Sequence, residues 1–173
     1  ITAIGGSWFK DWTTLEKIVM PENLTEIGTK SFYGCTGLKE FDIPASVKKI
    51  GSGAFAGCTG LDSTQTVMAA NPPELPDPDP AWGIVDSFNG GSSDKAASVT
   101  TFKVPYGCKE DYEAADYWNR YSFVEMEEKV LTVNFTSSGT LKTAAEKALA
   151  EKGWTDDEVT KLIVTSPEGV TLE

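Results

Sequence analysis

The chain has 173 residues, 40% hydrophobic and 24% charged, which reads as a soluble globular protein able to bury a core without disulfides or metals. Lys and Arg number 15 against 26 Asp and Glu, a net charge of −11. That argues against nucleic-acid backbones and anionic membrane surfaces as partners, since both need basic patches.

There is no histidine, so every Ser-His-Asp or Cys-His nucleophile system and every His-ligated metal site is excluded. The 3 cysteines are an odd count, so at least one is free or pairs between chains. No apolar run approaches the ~20 residues that would span a bilayer, so this segment is not expected to insert in a membrane. The first residue is Ile1 rather than Met, which reads as a processed or cut polypeptide whose signal peptide or lipid anchor lies outside it.

The first third of the chain repeats. Glu16-Lys-Ile-Val-Met-Pro21 aligns with Lys39-Glu-Phe-Asp-Ile-Pro44 at an offset of 23. The same offset maps Ile27-Gly28 onto Ile50-Gly51, and Phe32-Tyr-Gly-Cys-Thr-Gly-Leu38 onto Phe55-Ala-Gly-Cys-Thr-Gly-Leu61. It also reaches back to Ile4-Gly5, Phe9, Thr13 and Leu15. Repeats are therefore placed near residues 4–26, 27–49 and 50–72.

The pattern within one unit predicts its shape. Phe41 and Ile43 share one face of a strand by the two-residue period, and Leu38 enters the same core from the preceding bend. Pro44 lacks an amide donor and belongs at the strand's end. Val47, Ile50, Ala54 and Phe55 turn inward again around Gly51. One unit cannot bury these residues alone. Stacked neighbours bury them as ladders at about 4.8 Å, the spacing of adjacent strands. The expected fold is α/β: a β-rich solenoid, a right-handed coil of short parallel strands, with a period inside the leucine-rich-repeat range.

The run Leu38-Lys-Glu-Phe-Asp-Ile-Pro-Ala-Ser-Val-Lys-Lys-Ile-Gly-Ser-Gly-Ala-Phe-Ala-Gly-Cys-Thr-Gly-Leu61 resembles the BspA-like leucine-rich repeat of bacterial surface proteins. The resemblance implies an extracellular protein, attached to the surface of bacteria living on hosts. It implies adhesion and protein binding rather than catalysis.

After Leu61 the pattern falters. Two registers fit: Thr64 and Thr66 inward, or, with a slip of two residues, Thr66 and Met68. Gln65 points outward in either. Residues 71–80 hold five prolines and read as an extended excursion. Asn89-Gly-Gly-Ser-Ser93 reads as a surface loop, and Asp86-Ser-Phe-Asn-Gly90 as a worn Phe-x-Gly element. Val99-Thr-Thr-Phe-Lys-Val-Pro105 repeats the strand rhythm, so a degenerate repeat over 84–107 is expected to stack on the third. A cap helix over 109–119 follows, with Tyr112, Ala115 and Trp118 at near-helical spacing. The run from Val104 to Tyr121 resembles the way this family closes its repeat domain over the open end. Phe123 and Val124 predict one more strand. The first domain is thus placed at 1–126.

Residues 127–173 read as a partial β-α-β module. It comprises a strand at Val130–Phe135, a helix at Leu141–Lys152 capped by Thr140 and ended by Gly153, a capping box at Thr155-x-x-Glu158, and a strand at Leu162–Thr165. This small α+β fragment is near the lower limit for independent folding. It resembles the opening of a further repeat domain.

Candidate chemistry is sparse. Cys35 and Cys58 share one repeat position, a layer apart. Buried free thiols are favoured over a disulfide, since consecutive parallel strands stack like side chains without bonding them. Cys108 has no identifiable partner. Asp77 with Asp79, Asp111 with Glu113, and Asp156 with Glu158 are acidic pairs, each better read as a solvated loop, helix surface or helix N-terminus. No cofactor or metal is expected. Trp8, Trp12, Tyr33, Trp82, Tyr106, Tyr117 and Trp118 raise a sugar-stacking reading, but most read as core or cap residues. Trp12 takes the cysteine slot, and Trp82 is the best exposed candidate. Asn23-Leu-Thr25 and Asn134-Phe-Thr136 fit the N-glycosylation pattern, which is empty in a bacterial protein.

Residues flanking the inward positions should line the free face of the strands: Lys17 and Val19, Glu40 and Asp42, Gln65, Thr101 and Lys103. That mixed polar face suits a protein or glycan partner held by many modest contacts. The expected function is a non-enzymatic recognition or adhesion module, secreted or tethered to a bacterial surface. A structural spacer is the alternative, and a glycoside hydrolase a distant third, because it needs two carboxylates across a cleft.

Overall fold

The computed structural model describes residues 1–77, 86–89, 99–134, 141–159 and 161–165. Within it the chain separates into two compact units, Ile1–Met126 and Glu127–Glu173.

The first unit is built from short parallel strands. β1 (Ala3–Ile4), β2 (Glu26–Ile27) and β4 (Lys49–Ile50) form one sheet. Ile4 stands opposite Ile27, and Ile27 opposite Ile50, so each pairing keeps the 23-residue offset. β3 (Asp42–Ile43), β5 (Thr64–Val67), β6 (Thr101–Val104) and β7 (Ser122–Glu125) form a second sheet in that order. A parallel bridge between Lys17 and Glu40 brings the first repeat to this sheet's edge.

Like residues stack between repeats. The ring of Phe32 lies 5.2 Å from Phe9 and 5.2 Å from Phe55, in near-parallel planes. Phe88, from the worn Phe-x-Gly element, continues this column 5.8 Å beyond Phe55. The turns pair as well: Phe9 N donates to Ser31 O at 2.8 Å, and Phe32 N to Ala54 O at 2.8 Å. Leu24, Ile27, Leu38, Phe41, Ile43, Val47, Ile50 and Phe55 are all buried. The strands are short because each repeat gives the strand only the few residues between a bend and a proline such as Pro44.

The third repeat departs from both expected registers. Ile43 pairs with Val67 and Asp42 with Thr66, an offset of 24 instead of 23. One extra residue at Asp62–Ser63 shifts the strand by a single position, which exchanges its two faces. Gln65 and Val67 therefore point inward. Thr64 and Thr66 are only half-buried, and Met68 is exposed. Beyond the slip, Gln65 pairs with Phe102 and Phe102 with Phe123.

α1 spans Lys109–Ala114, shorter than the expected 109–119. Ala115 is extended and Tyr117 adopts a positive φ of 66°. In a continuous helix Trp118 would sit roughly 120° around the axis from Tyr112, given 100° per residue. Both side chains are nevertheless buried, so the helix has to break between them. Tyr112 Oη donates to Ala69 O at 2.6 Å, and Trp118 Nε1 to Pro73 O at 2.7 Å. Burial holds the Tyr112 phenol above its ordinary range.

The second unit pairs β8 (Val130–Asn134) with β9 (Lys161–Thr165) in parallel, Leu131 opposite Leu162 and Val133 opposite Val164. α2 (Leu141–Lys152) packs on β8, where Leu131 and Val133 are buried. Thr140, the expected helix cap, lies outside the described residues. A 3-10 turn at Asp156–Glu158 follows, and Glu158 accepts from Thr155 N at 2.8 Å and from Thr155 Oγ1 at 3.0 Å.

Candidate functional site

The free face of the second sheet is set by strand alternation. Phe41, Ile43, Gln65, Val67, Phe102 and Val104 point into the core, so their neighbours point out. Lys17, Val19, Glu40, Asp42 and Lys103 are exposed, and Thr101 is half-buried. Lys17 Nζ lies 2.7 Å from Glu40 Oε1 across the bridge between the first two repeats. Their hydrogen bond raises the Lys17 pKa and lowers that of Glu40, keeping both charged.

Gln65 does not belong to this face, contrary to the sequence expectation. It is 2% exposed. Its Oε1 accepts from Phe41 N at 2.8 Å, and its Nε2 donates to Asp62 O at 2.9 Å. The carboxamide thus serves backbone groups that the register slip would otherwise leave unpaired. Val67, the segment's one aliphatic β-branched residue, carried the signal for this register, because placing it in the Ile43 column fixes Gln65 inward.

A hollow of about 480 Å³ lies over β3 and β5, lined by Glu40, Asp42, Asp62, Ser63, Thr64, Thr66 and Lys103, with Phe41 and Gln65 beneath. The loop residues Asp62 and Ser63 were missed because their position depends on the inserted residue. The lining offers carboxylates, hydroxyls and one ammonium. Among the described residues no three Cys, Asp or Glu side chains group as a metal site, and no helix is long and apolar enough to cross a membrane.

The other candidates separate by burial. Trp118 is 1% exposed and is a core residue. Trp8, Trp12 and Tyr106 are exposed, while Tyr33 and Tyr117 are half-buried. Trp82 and Asp79 lie outside the described residues. Cys35 and Cys58 are buried free thiols. Each donates to the preceding repeat, Cys35 Sγ to Phe9 O at 3.1 Å and Cys58 Sγ to Phe32 O at 3.0 Å. The Cys35 thiol and burial hold Cys58 well above the ordinary thiol range, which makes it unreactive.

No curated protein matches the chain. Repeats of the BspA-type family are commonly surface-associated protein-interaction modules and generally non-enzymatic. Residues 1–68, which carry the in-register isoleucine and phenylalanine columns, match the family model described as BspA type Leucine rich repeat region (6 copies).

Proposed function

We propose that the first unit is a non-enzymatic recognition module of a bacterial surface, binding a protein or glycan partner through the free face of its second sheet. In this reading the layers continue as one right-handed solenoid over 1–126, closed by the α1 segment as a cap, and residues 127–173 form a partial β-α-β module. The observation that carries the proposal is the polar hollow over β3 and β5. It joins the exposed Glu40, Asp42 and Lys103 to the hydroxyls of Ser63, Thr64 and Thr66 on one surface. Such a surface supplies directional hydrogen bonds and unlike charges at fixed spacing, which confer specificity more than raw affinity. Lys17 and Thr101 extend it at either edge.

The test compares the natural chain with Glu40→Lys/Asp42→Lys on a glycan array and on immobilised host surface proteins, with thermal unfolding as the control for folding. Binding weakened at least ~10-fold, about 1.4 kcal/mol, supports the face. Binding unchanged by the reversal removes it, and no binder in either format favours the spacer.

A further inference from the structure

Three of the positions at which the first repeat departs from the next two bear on the side where a preceding layer would sit. Gly37 and Gly60 are equivalent residues. A methyl group on Gly37 would lie 2.4 Å from Thr13 O, and one on Gly60 would lie 2.4 Å from Thr36 O. Glycine is therefore what lets each layer seat on the one before it. The first-layer equivalent is Thr14, a β-branched residue. Next, Cys35 and Cys58 are small, buried, and bonded to the preceding layer's Phe9 O and Phe32 O. Their first-layer equivalent is Trp12, 50% exposed.

The third position is the most informative. Ser31 and Ala54 are small and fully buried, whereas their equivalent, Trp8, is 61% exposed. A methyl group on Gly28 would meet the first layer's Gly6 N at 2.8 Å, and one on Gly51 would meet the second layer's Thr29 N at 2.5 Å. At Gly5 the corresponding neighbour is the Trp8 indole itself, with Nε1 at 2.3 Å from such a methyl. The ring occupies the space through which a preceding layer's backbone would run.

We propose that the first layer is a built end of the ladder, in which Trp8, Trp12 and Thr14 exclude a further coil of the same repeat. The backbone alone would not exclude one. Thr29 O, Ser31 O and Tyr33 O accept from Ser7, Phe9 and Asp11, while their equivalents Gly6 O, Trp8 O and Lys10 O accept no hydrogen bond among the described residues. β1 is an open strand edge beside an apolar hollow of about 300 Å³ that includes Ile4, Trp8, Trp12 and Met20. An exposed edge of this kind invites end-to-end association, and bulky side chains in small-residue slots oppose it. The exclusion holds whether the coil arrives on polypeptide joined at Ile1 or on a second copy of the chain.

The experiment fuses a copy of Leu24–Ser46 directly ahead of Ile1 of the full chain. By the period of 23, this sets the copied Lys30, Phe32 and Gly34 amides opposite Gly6 O, Trp8 O and Lys10 O. The fusion is compared on the natural first layer and on Trp8→Ala/Trp12→Cys/Thr14→Gly, with amide hydrogen exchange read in the added coil. On the natural layer, exchange is expected within ~10-fold of an unstructured peptide, and on the substituted layer, slowed by ~100-fold or more, since protection reports local opening. Strong protection of the copy on the natural layer overturns the proposal. So does a substituted layer that folds by circular dichroism yet leaves the copy unprotected. If the triple variant does not fold, Trp8→Ala/Thr14→Gly carries the same comparison; intermediate protection supports the end-stop, and none overturns it.

Discussion

A single residue, Gln65, links the fold to the candidate face. It stands in a column otherwise filled by Phe41, Phe102 and Phe123, yet the carboxamide suits the site better than an aromatic ring. The extra residue at Asp62–Ser63 takes β5 out of step with β3, and Phe41 N turns to the Gln65 side chain for its acceptor. Gln65→Leu keeps the volume and removes both the acceptor for Phe41 N and the donor to Asp62 O. Buried unpaired groups of this kind cost about 1–3 kcal/mol. The expected outcome is a loss of that size in denaturant-measured stability, together with a change in the polar hollow that Gln65 floors. Gln65→Asn, one methylene shorter, should restore little, because both bonds depend on reach. A Leu variant as stable as the natural chain would show that the column tolerates an apolar residue and that the carboxamide is not needed.

Among the elements, the segment around α1 is held by side chains more than by its own helix. α1 has only six residues and no side-chain cap, too short to persist alone. What fixes it is the pair of donors driven into carbonyls just before and within the proline-rich stretch, Tyr112 to Ala69 O and Trp118 to Pro73 O. Asp86 adds a third tie, accepting from Tyr121 Oη at 2.7 Å and from Arg120 at 3.0 Å. Tyr112→Phe retains the ring and deletes one hydrogen bond, so a loss of about 1 kcal/mol is expected. Trp118→Phe deletes a bond and part of the packing against Phe102 and Phe88, and should cost more. The measurements are equilibrium unfolding and near-ultraviolet circular dichroism. If Tyr112→Phe costs as much as Trp118→Phe, packing is not what separates them.

These elements also show what could be read from the residues. Ile27 over Ile50 and Phe32 over Phe55 were legible because one offset places like residues in one column. The strand at Thr101–Val104 and α2 at Leu141–Lys152 follow from local pattern in the same way. The slip at Gln65 was missed although Val67 carried its signal, because the expected registers moved by even steps and preserved the outward face of Gln65. The end of α1 was hidden for a different reason. Helical spacing accounts for Tyr112 and Ala115, but the burial of Trp118 is decided by Phe88, Phe102 and Pro73, all distant in sequence. The candidate face was half legible: Glu40, Asp42 and Lys103 follow from alternation, while Asp62 and Ser63 depend on the bulge.

At the scale of the whole molecule, the two units rest on different physics. The first has a continuous apolar core running from Ile4 to Phe123, so its stability scales with buried area. In the second, the buried strand residues among those described are Leu131 and Val133, and polar ties gather at one corner. Lys129 Nζ donates to Glu158 Oε1, Thr155 donates twice to Oε2, and the Lys129 and Lys152 ammonium groups lie 5.4 and 4.6 Å from the Trp154 ring. The hydrogen bond from Lys129, and then those from Thr155, hold the Glu158 carboxyl at about 2, below its ordinary 4.5. A depressed carboxylate pKa gives stability that is complete above the unfolded value and is lost as pH falls through the folded one. The second unit should therefore weaken progressively between pH 4.5 and about 2. Glu158→Gln should make it less stable at neutral pH and remove most of that dependence, because the amide cannot ionise and keeps at most a neutral acceptor for Lys129. Amide exchange of β8 and β9 followed against pH reads both effects. A Glu158→Gln variant that keeps the acid-dependent step would assign it to other carboxylates of the unit.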